Sequence, residues 1–240
     1  MKTRTVKQKM ISNLIRFSFF LMFMFFSMLS AEKLYVFYPS PVRPHHLQKT
    51  LREACPNLEI TVFGRFEDFA DKVKSHPPDA ILSKPEILKS FANYFIHRSG
   101  SKDGESNEKY VLLSIDKDIS VDSLSSLSIG FINLMGRKNT KLFLSEQLNA
   151  TPKIKLVTKV EDFLPLQRFG MVDAVLIPET FVAYFTKNSN LKFTIADVPQ
   201  MRPAIVAIAV SDSIKAEKIL KAINGLPLDK SIIFGVDSWQ

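Results

Sequence analysis

Cysteine is almost absent from this 240-residue chain, in which Cys55 is the single example. One cysteine excludes an intramolecular disulfide, so no covalent cross-link can hold the fold together. Histidine is also scarce, with four residues, and the adjacent His45 and His46 have no third ligand at a metal-binding spacing. The fold must rest on a hydrophobic core, which a chain of this length can bury. The sequence predicts neither a metal site nor a bound cofactor.

Signatures of catalysis are missing as well. The chain contains no phosphate-binding loop and no dinucleotide-binding fingerprint. Ser40 and Ser83 lie in no nucleophile-elbow pattern, and the acids Asp71, Asp79 and Asp173 form no readable acid–base pair. We therefore predict that the protein is not an enzyme and has no catalytic residues.

No apolar run reaches the roughly 20 residues that a membrane-spanning helix needs. The first sixteen residues carry five basic side chains and no acid, and residues 17–29 form an apolar run of 13 before the small Ser30 and Ala31. This order predicts a cleaved signal peptide, residues 1–31, and a mature protein in the periplasm. An uncleaved membrane anchor is the alternative.

The excess of positive charge is partly a property of that first segment. Without residues 1–31 the formal net charge falls from +8 to +3, because 27 Lys and Arg then face 24 Asp and Glu. A mature charge this small gives no reason to expect nucleic acid as a partner.

Short β-rich runs alternate with helical runs through the rest of the chain. Such alternation predicts an α/β fold with mainly parallel sheets flanked by helices. Two segments are similar, DAILSKPE at residues 79–86 and DAVLIPE at residues 173–179, which indicates two similar lobes. Chance recurrence of a common strand-turn pattern is the alternative. We also predict a helix over residues 86–95 and an exposed loop over the polar residues 99–109.

The loops after four predicted strands are the expected binding region, because ligands of open α/β sheets lie beyond the carboxyl ends of the strands. Residues 133–140 lead into a helix whose N-terminus offers free N–H groups, and Arg137 and Lys138 add two cations. This loop suits a phosphate, phosphonate, sulfonate or carboxylate, and an ordinary capped turn with solvated basic residues is the alternative. The candidate ligand-binding residues from the four loops are Tyr38, Ser40, Ser83, Lys84, Asn133, Arg137, Lys138, Asn139, Thr140 and Glu179.

The mature chain resembles the type 2 periplasmic substrate-binding proteins, in particular the phosphate/phosphonate-binding components of ABC transporters. The segments that carry the resemblance are residues 34–41, 79–88, 128–140, 170–179 and 206–220. The resemblance implies a two-lobed periplasmic-binding-protein-like fold. Lobe one would comprise residues 32–114 and 202–240, and lobe two residues 115–201, with the lobes closing on a bound ligand.

The resemblance also implies a function in transport. The protein would capture a small anionic ligand between its lobes and deliver it to the permease of an ABC transporter. A periplasmic sensor or accessory module that signals to a membrane partner is the alternative, and an enzyme is a third, less favoured possibility because the fold hosts several functions.

Overall fold

The computed structural model describes residues 31–240, with the side chains of residues 213–215 and 232 left out. Apart from Ala31, the predicted signal peptide lies outside the described residues. The segment from Glu32 to Gln240 forms one compact unit. None of the helices within it is long and apolar enough to cross a membrane.

Eleven strands of the described segment form two sheets. The strands are β1 (Glu32–Phe37), β2 (Leu58–Val62), β3 (Ala80–Ser83), β4 (Phe95–Ser101), β5 (Tyr110–Ile115), β6 (Ser128–Ile132), β7 (Lys153–Val157), β8 (Ala174–Pro178), β9 (Phe193–Asp197), β10 (Ala207–Val210) and β11 (Ser238–Trp239). The six-stranded sheet has the order β11-β4-β10-β3-β1-β2, and the five-stranded sheet has the order β7-β6-β8-β5-β9. The predicted α/β fold with two sheets is confirmed.

Each sheet is mixed, rather than mainly parallel as predicted. In the six-stranded sheet β1 runs parallel to β2 and β3, whereas β10 pairs antiparallel with β3 and β4. In the five-stranded sheet β6 runs parallel to β7 and β8, whereas β5 pairs antiparallel with β8 and β9. Helical crossovers lead from β1 through β2 to β3 and from β6 through β7 to β8, as parallel pairing requires.

Helices connect the parallel strands and cover the sheets. They are α1 (Pro44–Ala54), α2 (Phe66–Ser75), α3 (Pro85–Leu88), α4 (Arg137–Leu148), α5 (Phe163–Arg168), α6 (Val182–Lys187), α7 (Ser213–Asn224) and α8 (Leu228–Ser231). A proline occupies the first turn of α1 and of α3, where its missing N–H breaks no helical hydrogen bond.

The core lies on both faces of the six-stranded sheet. Successive side chains of a strand point to opposite faces, and those of β1 divide accordingly. Tyr35 and Phe37 join a large cluster that continues into the five-stranded sheet. Leu34 and Val36 join a second cluster on the other face. Burial on both faces explains why β1 is a continuous apolar run and not an alternating one.

The region between α3 and β5 differs from its prediction. The predicted helix over residues 86–95 ends after one turn, and Phe95–Ser101 forms a strand where a loop was expected from residue 99. A Cβ added to Gly100 would lie 2.8 Å from the Val206 side chain and 2.5 Å from that of Val236. The missing side chain of Gly100 therefore makes room for these two valines, whereas the composition of the segment suggests a loop.

The strand Tyr110–Ile115 bears on the predicted lobe boundary between residues 114 and 115. It pairs with β8 and β9 and so lies in the five-stranded sheet. The predicted boundary falls within this strand, and it stays a prediction. The boundary near residues 201–202 stays a prediction.

Candidate functional site

A cleft of about 550 Å³ opens at the carboxyl ends of strands from both sheets. From the six-stranded sheet it is lined by the segments that follow β1 and β2, and from the five-stranded sheet by the end of β6 and the segment that follows β7. We call this space the cleft. Its polar lining includes Ser40, Arg43, His45, Arg65, Asp68, Thr158, Lys159 and Glu161.

Two of the predicted ligand-binding residues, Tyr38 and Ser40, line the cleft. The Tyr38 hydroxyl donates a hydrogen bond of 2.9 Å to the Phe234 carbonyl, and burial raises the pKa of this phenol well above its usual range. The Ser40 hydroxyl accepts a bond of 3.2 Å from the Val42 N–H. Both side chains are therefore partly committed to the protein itself.

The cations of the cleft were missed by the sequence analysis. Arg43 and Arg65 directly precede α1 and α2, and Lys159 follows β7. The predicted binding loops included neither the segment after β2 nor the one after β7. The rule about strand ends could have found Arg65 and Lys159 had it been applied to every predicted strand.

One ion pair crosses the cleft. Arg43 Nε lies 3.7 Å from Glu161 Oε1, and the two side chains are 67% and 38% exposed. Arg65 and Lys159 form no ion pair in the part of the chain that the structure describes. With Asp68 as the remaining acid, the cleft holds three cations and two carboxylates. The formal charge of the lining is therefore +1.

Lys84, predicted as a ligand-binding residue, is 3% exposed and ion-paired with Glu108, which is 9% exposed. Its ammonium also donates hydrogen bonds of 3.3 Å to the carbonyls of Ala204 and Ile205. The rings of Tyr38 and Tyr110 each have their centre 5.9 Å from the Lys84 nitrogen. Lys84 thus connects the end of β3 to the two segments of chain that link the sheets, one with Glu108 and the other with Ala204 and Ile205.

Burial is the main influence on the pKa of Glu108. It raises the pKa of Glu108 above its ordinary value, and the charge and hydrogen bond of Lys84 offset only part of that rise. Burial likewise raises the pKa of Tyr110, with a further rise from the Glu108 carboxyl. The predicted exposed loop over residues 99–109 therefore ends in a buried acid, a correction whose physical reason is the pairing with Lys84.

Ser83, next to Lys84, is fully buried, and its hydroxyl donates a 2.7 Å hydrogen bond to the Phe37 carbonyl. A second cavity near these residues measures about 10 Å³ and is lined mainly by apolar side chains, with Lys84 and Tyr110 at one side. That volume is at the lower limit for a single water molecule. This second cavity is therefore too small to hold a solute.

The predicted anion loop is occupied by its own hydrogen bonds. The Thr140 hydroxyl oxygen accepts from the N–H groups of Leu134, at 3.2 Å, and Met135, at 3.0 Å. It also donates to Asn133 Oδ1 at 3.2 Å. Asn133 Nδ2 donates to Glu67 Oε1 at 2.8 Å, a contact between the two sheet regions. These bonds hold the loop before α4, while the residue at the helix start, Gly136, makes no side-chain capping hydrogen bond.

The other predicted residues lie outside the lining of the cleft. Arg137, Lys138 and Asn139 are exposed at the start of α4, and Glu179 is exposed after β8. The His45 and His46 rings lie 4.0 Å apart, but no group of three or more metal-ligating side chains occurs among the described residues.

Comparisons with known proteins identify the fold. No family model matches the chain, and no curated protein matches it. Among solved structures, a protein described as an L-cystine ABC transporter from Listeria monocytogenes shares a TM-score of 0.59 and 14% identity, over 87% of this chain and 98% of that one. The amino acid ABC transporter substrate-binding protein AbpA from Streptococcus pneumoniae, bound to L-arginine, has a TM-score of 0.57 and 18% identity, over 84% and 91%.

A third similar structure is the VFT2 domain of BvgS from Bordetella pertussis, with a TM-score of 0.57 and 13% identity over 84% of this chain and 91% of that one. These neighbours do not support the narrower resemblance to phosphate/phosphonate-binding components, because the two transporter proteins are named for amino acids. At such low identity the likeness shows the fold alone. The chain has the two-lobed fold of the type 2 periplasmic substrate-binding proteins.

Proposed function

We propose that this chain is a periplasmic solute-binding protein that captures a small anion in the cleft. The observation that carries the proposal is that cations from both sheet regions line one space of about 550 Å³. That volume is within the range of small-molecule sites. The similarity to substrate-binding proteins supports binding, and not catalysis, as the activity.

The charges of the cleft support an anionic ligand. Glu161 already faces Arg43 at 3.7 Å, which leaves Arg65 and Lys159 facing the single acid Asp68. A carboxylate, sulfonate, phosphonate or phosphate would balance this excess. Guanidinium groups can also bind such anions with two parallel hydrogen bonds.

The positions of the two cations relate binding to closure of the lobes. Arg65 precedes α2 in the six-stranded region, and Lys159 follows β7 in the five-stranded region. An anion that contacts both would favour the closed arrangement, as in hinge closure around a ligand. In this proposal an ABC permease recognises the closed, liganded form after the signal peptide has directed export.

A thermal-shift titration of ligand-stripped protein tests the proposal. The panel comprises amino acids, dicarboxylates, sulfonates, phosphonates and phosphate. A ligand at a hundred times its dissociation constant should add about 2.7 kcal/mol to the free energy of unfolding. For a domain of this size that corresponds to a rise in Tm of roughly 5–11 °C. If no small anion changes Tm, the proposal is wrong.

Two double variants with equal charge change locate the site. Arg65→Gln with Lys159→Gln removes the free cations of the cleft, and we expect it to abolish the shift. Arg137→Gln with Lys138→Gln removes the cations at the start of α4, and we expect it to leave the shift intact. The reverse pattern would place the site at the helix start that the sequence analysis favoured.

A sensory or accessory role is the second candidate. It is supported by the likeness to the BvgS VFT2 domain. In this role the domain would transmit a signal to a membrane partner. Failure of every solute in the titration, together with co-purification of a membrane receptor protein, would favour it over transport.

A further inference from the structure

The cations at the start of α4 belong to a larger surface that the cleft does not use. Between residues 137 and 159 the chain has six basic residues and one acid. Five of the basic side chains are exposed on α4 and on the edge strand β7. We call these five residues the outer basic surface: Arg137, Lys138, Lys141, Lys153 and Lys155.

The helix and the strand adjoin at one edge of the five-stranded sheet. Lys141 of α4 and Lys153 of β7 line the same groove of about 390 Å³. Along β7, Lys153 and Lys155 are exposed, whereas Ile154 and Leu156 pack against the core. The alternation of a strand directs both lysines to one face of the sheet, the face on which a Cβ added to Gly130, the partner of Lys155, would meet Leu166 of α5. With α4 about 18 Å long, the positive charge is spread over an extended area.

Neighbouring acids do not neutralise the outer basic surface. Glu146 is the one acid of α4. Asp173 lies close enough to Lys153 for its pKa to be lowered slightly by that charge, but it is already bonded to Lys117 at 2.6 Å and to the Ser128 N–H at 2.9 Å. Within the described residues, none of the five cations forms an ion pair.

An apolar side chain lies within this charged surface. Leu142 of α4 is 56% exposed, whereas the next two residues, Phe143 and Leu144, are buried in the core. Leu142 directly follows Lys141 and lies one helical turn after Lys138. A large exposed aliphatic group next to lysines is suited to a lipid bilayer, whose surface is charged and whose interior is apolar. The apolar stems of lysines can lie along the edge of a bilayer while their ammonium groups stay among the lipid phosphates.

We propose that the outer basic surface docks the protein on an anionic phospholipid bilayer. Four of its five cations are lysines, which attract phosphates as point charges without requiring a fixed two-pronged geometry. The charge is spread over an exposed helix and edge strand and does not converge in a pocket. The bilayer is the partner that this combination fits best. The proposal does not depend on the identity of a solute in the cleft.

Protection of a sheet edge explains only part of this surface. Lysines on an edge strand discourage pairing with another chain, which accounts for Lys153 and Lys155. It gives no reason for the exposed cations Arg137, Lys138 and Lys141 on the adjoining helix. A docking surface accounts for all five residues and for the exposure of Leu142.

Vesicle sedimentation tests the proposal with residues 32–240, the compact unit that contains both sheets and both core clusters. The vesicles contain either about one-third phosphatidylglycerol in phosphatidylcholine or phosphatidylcholine alone. Each lysine near an anionic surface should raise the partition coefficient about fivefold. The quadruple variant K138Q/K141Q/K153Q/K155Q should therefore lower it at least about 100-fold on the anionic vesicles.

The matched control is K49Q/K72Q/K74Q/K89Q, which removes four exposed lysines from the six-stranded region. We expect the control to bind anionic vesicles within about threefold of the unchanged protein, since these lysines lie outside the surface. Melting curves verify that both variants fold. Binding should also disappear in 1 M salt, where the screening length is about 3 Å.

Three outcomes would overturn the proposal. The first is equal binding to anionic and neutral vesicles. The second is an equal loss in the quadruple variant and its control, which would show that net charge alone matters. The third is retention of an acidic polypeptide, polyglutamate, without binding to vesicles, which would identify an acidic protein as the partner.

Discussion

Replacing Lys84 with methionine should destabilise the protein more than any exposed charge change. Methionine preserves the volume of the lysine stem, so little of the effect comes from a cavity. The Glu108 carboxyl, 9% exposed, would lose its ion-pair partner, and the carbonyls of Ala204 and Ile205 would lose a donor. Removing one member of a buried ion pair costs about 3–5 kcal/mol. We expect a loss in that range at pH 8.

The loss should become smaller as the pH falls. Lys84 lowers the pKa of Glu108 against the larger effect of burial, so its removal raises that pKa further. The folded state then holds a proton that the unfolded state has lost above its ordinary pKa of about 4.3. Because the folded state binds more protons in this window, stability increases as the pH falls from 8 towards 5.

Urea denaturation at pH 5 and pH 8 measures both effects, with Trp239, the single tryptophan, as the fluorescent probe. Lys89→Met is the matched control, because Lys89 is exposed nearby, and it should change stability by less than about 0.5 kcal/mol. The double variant K84M/E108L should regain most of the loss, since an apolar pair can replace a buried ion pair. A loss below about 1 kcal/mol for K84M at pH 8, or equal losses at the two pH values, would refute this reasoning.

Three further predictions concern buried groups. Thr140→Val should lower the free energy of unfolding by about 1–3 kcal/mol in urea denaturation, because the buried hydroxyl accepts hydrogen bonds from the N–H groups of Leu134 and Met135. Thr140→Ser keeps the hydroxyl and should keep most of the stability. An equal loss in both variants would argue against the hydrogen bonds. Burial raises the pKa of the Cys55 thiol, so the rate of its alkylation at pH 8 should be set by the rate of unfolding. Alkylation at the rate of a free thiol would contradict the structure. Phe69→Ala should cost about 3–5 kcal/mol because Phe69 is fully buried among aromatic rings, and a loss under 1 kcal/mol would show that its site is not packed as described.

Much of the fold could be predicted from the sequence because strand and helix periodicity is local information. The alternation of β-rich and helical runs predicts the α/β class, and the two similar segments at residues 79–86 and 173–179 contain β3 and β8. These segments are buried on both faces or covered by helices, so their composition reflects their surroundings directly. The repeated strand-turn segments before Glu86 and Glu179 indicated two sheets, which the structure contains.

Strand β4 and the buried acid Glu108 could not be predicted in the same way. Phe95–Ser101 contains a glycine and two serines, which locally favour a loop. The strand exists because it pairs with Ala207–Val210, more than a hundred residues later in the chain. Glu108 lies in a polar stretch and is buried only because Lys84 is brought to it from the end of β3.

The sequence by itself determined an α/β protein with two sheets and binding loops at the ends of the strands, because periodic burial leaves a local pattern in the residues. Which loops meet was decided by the tertiary structure. Folding places Arg65 and Lys159 along one cleft and leaves Arg137 and Lys138 exposed outside its lining. The sign of a charge is local information, but its partners depend on how strands from distant parts of the chain pair.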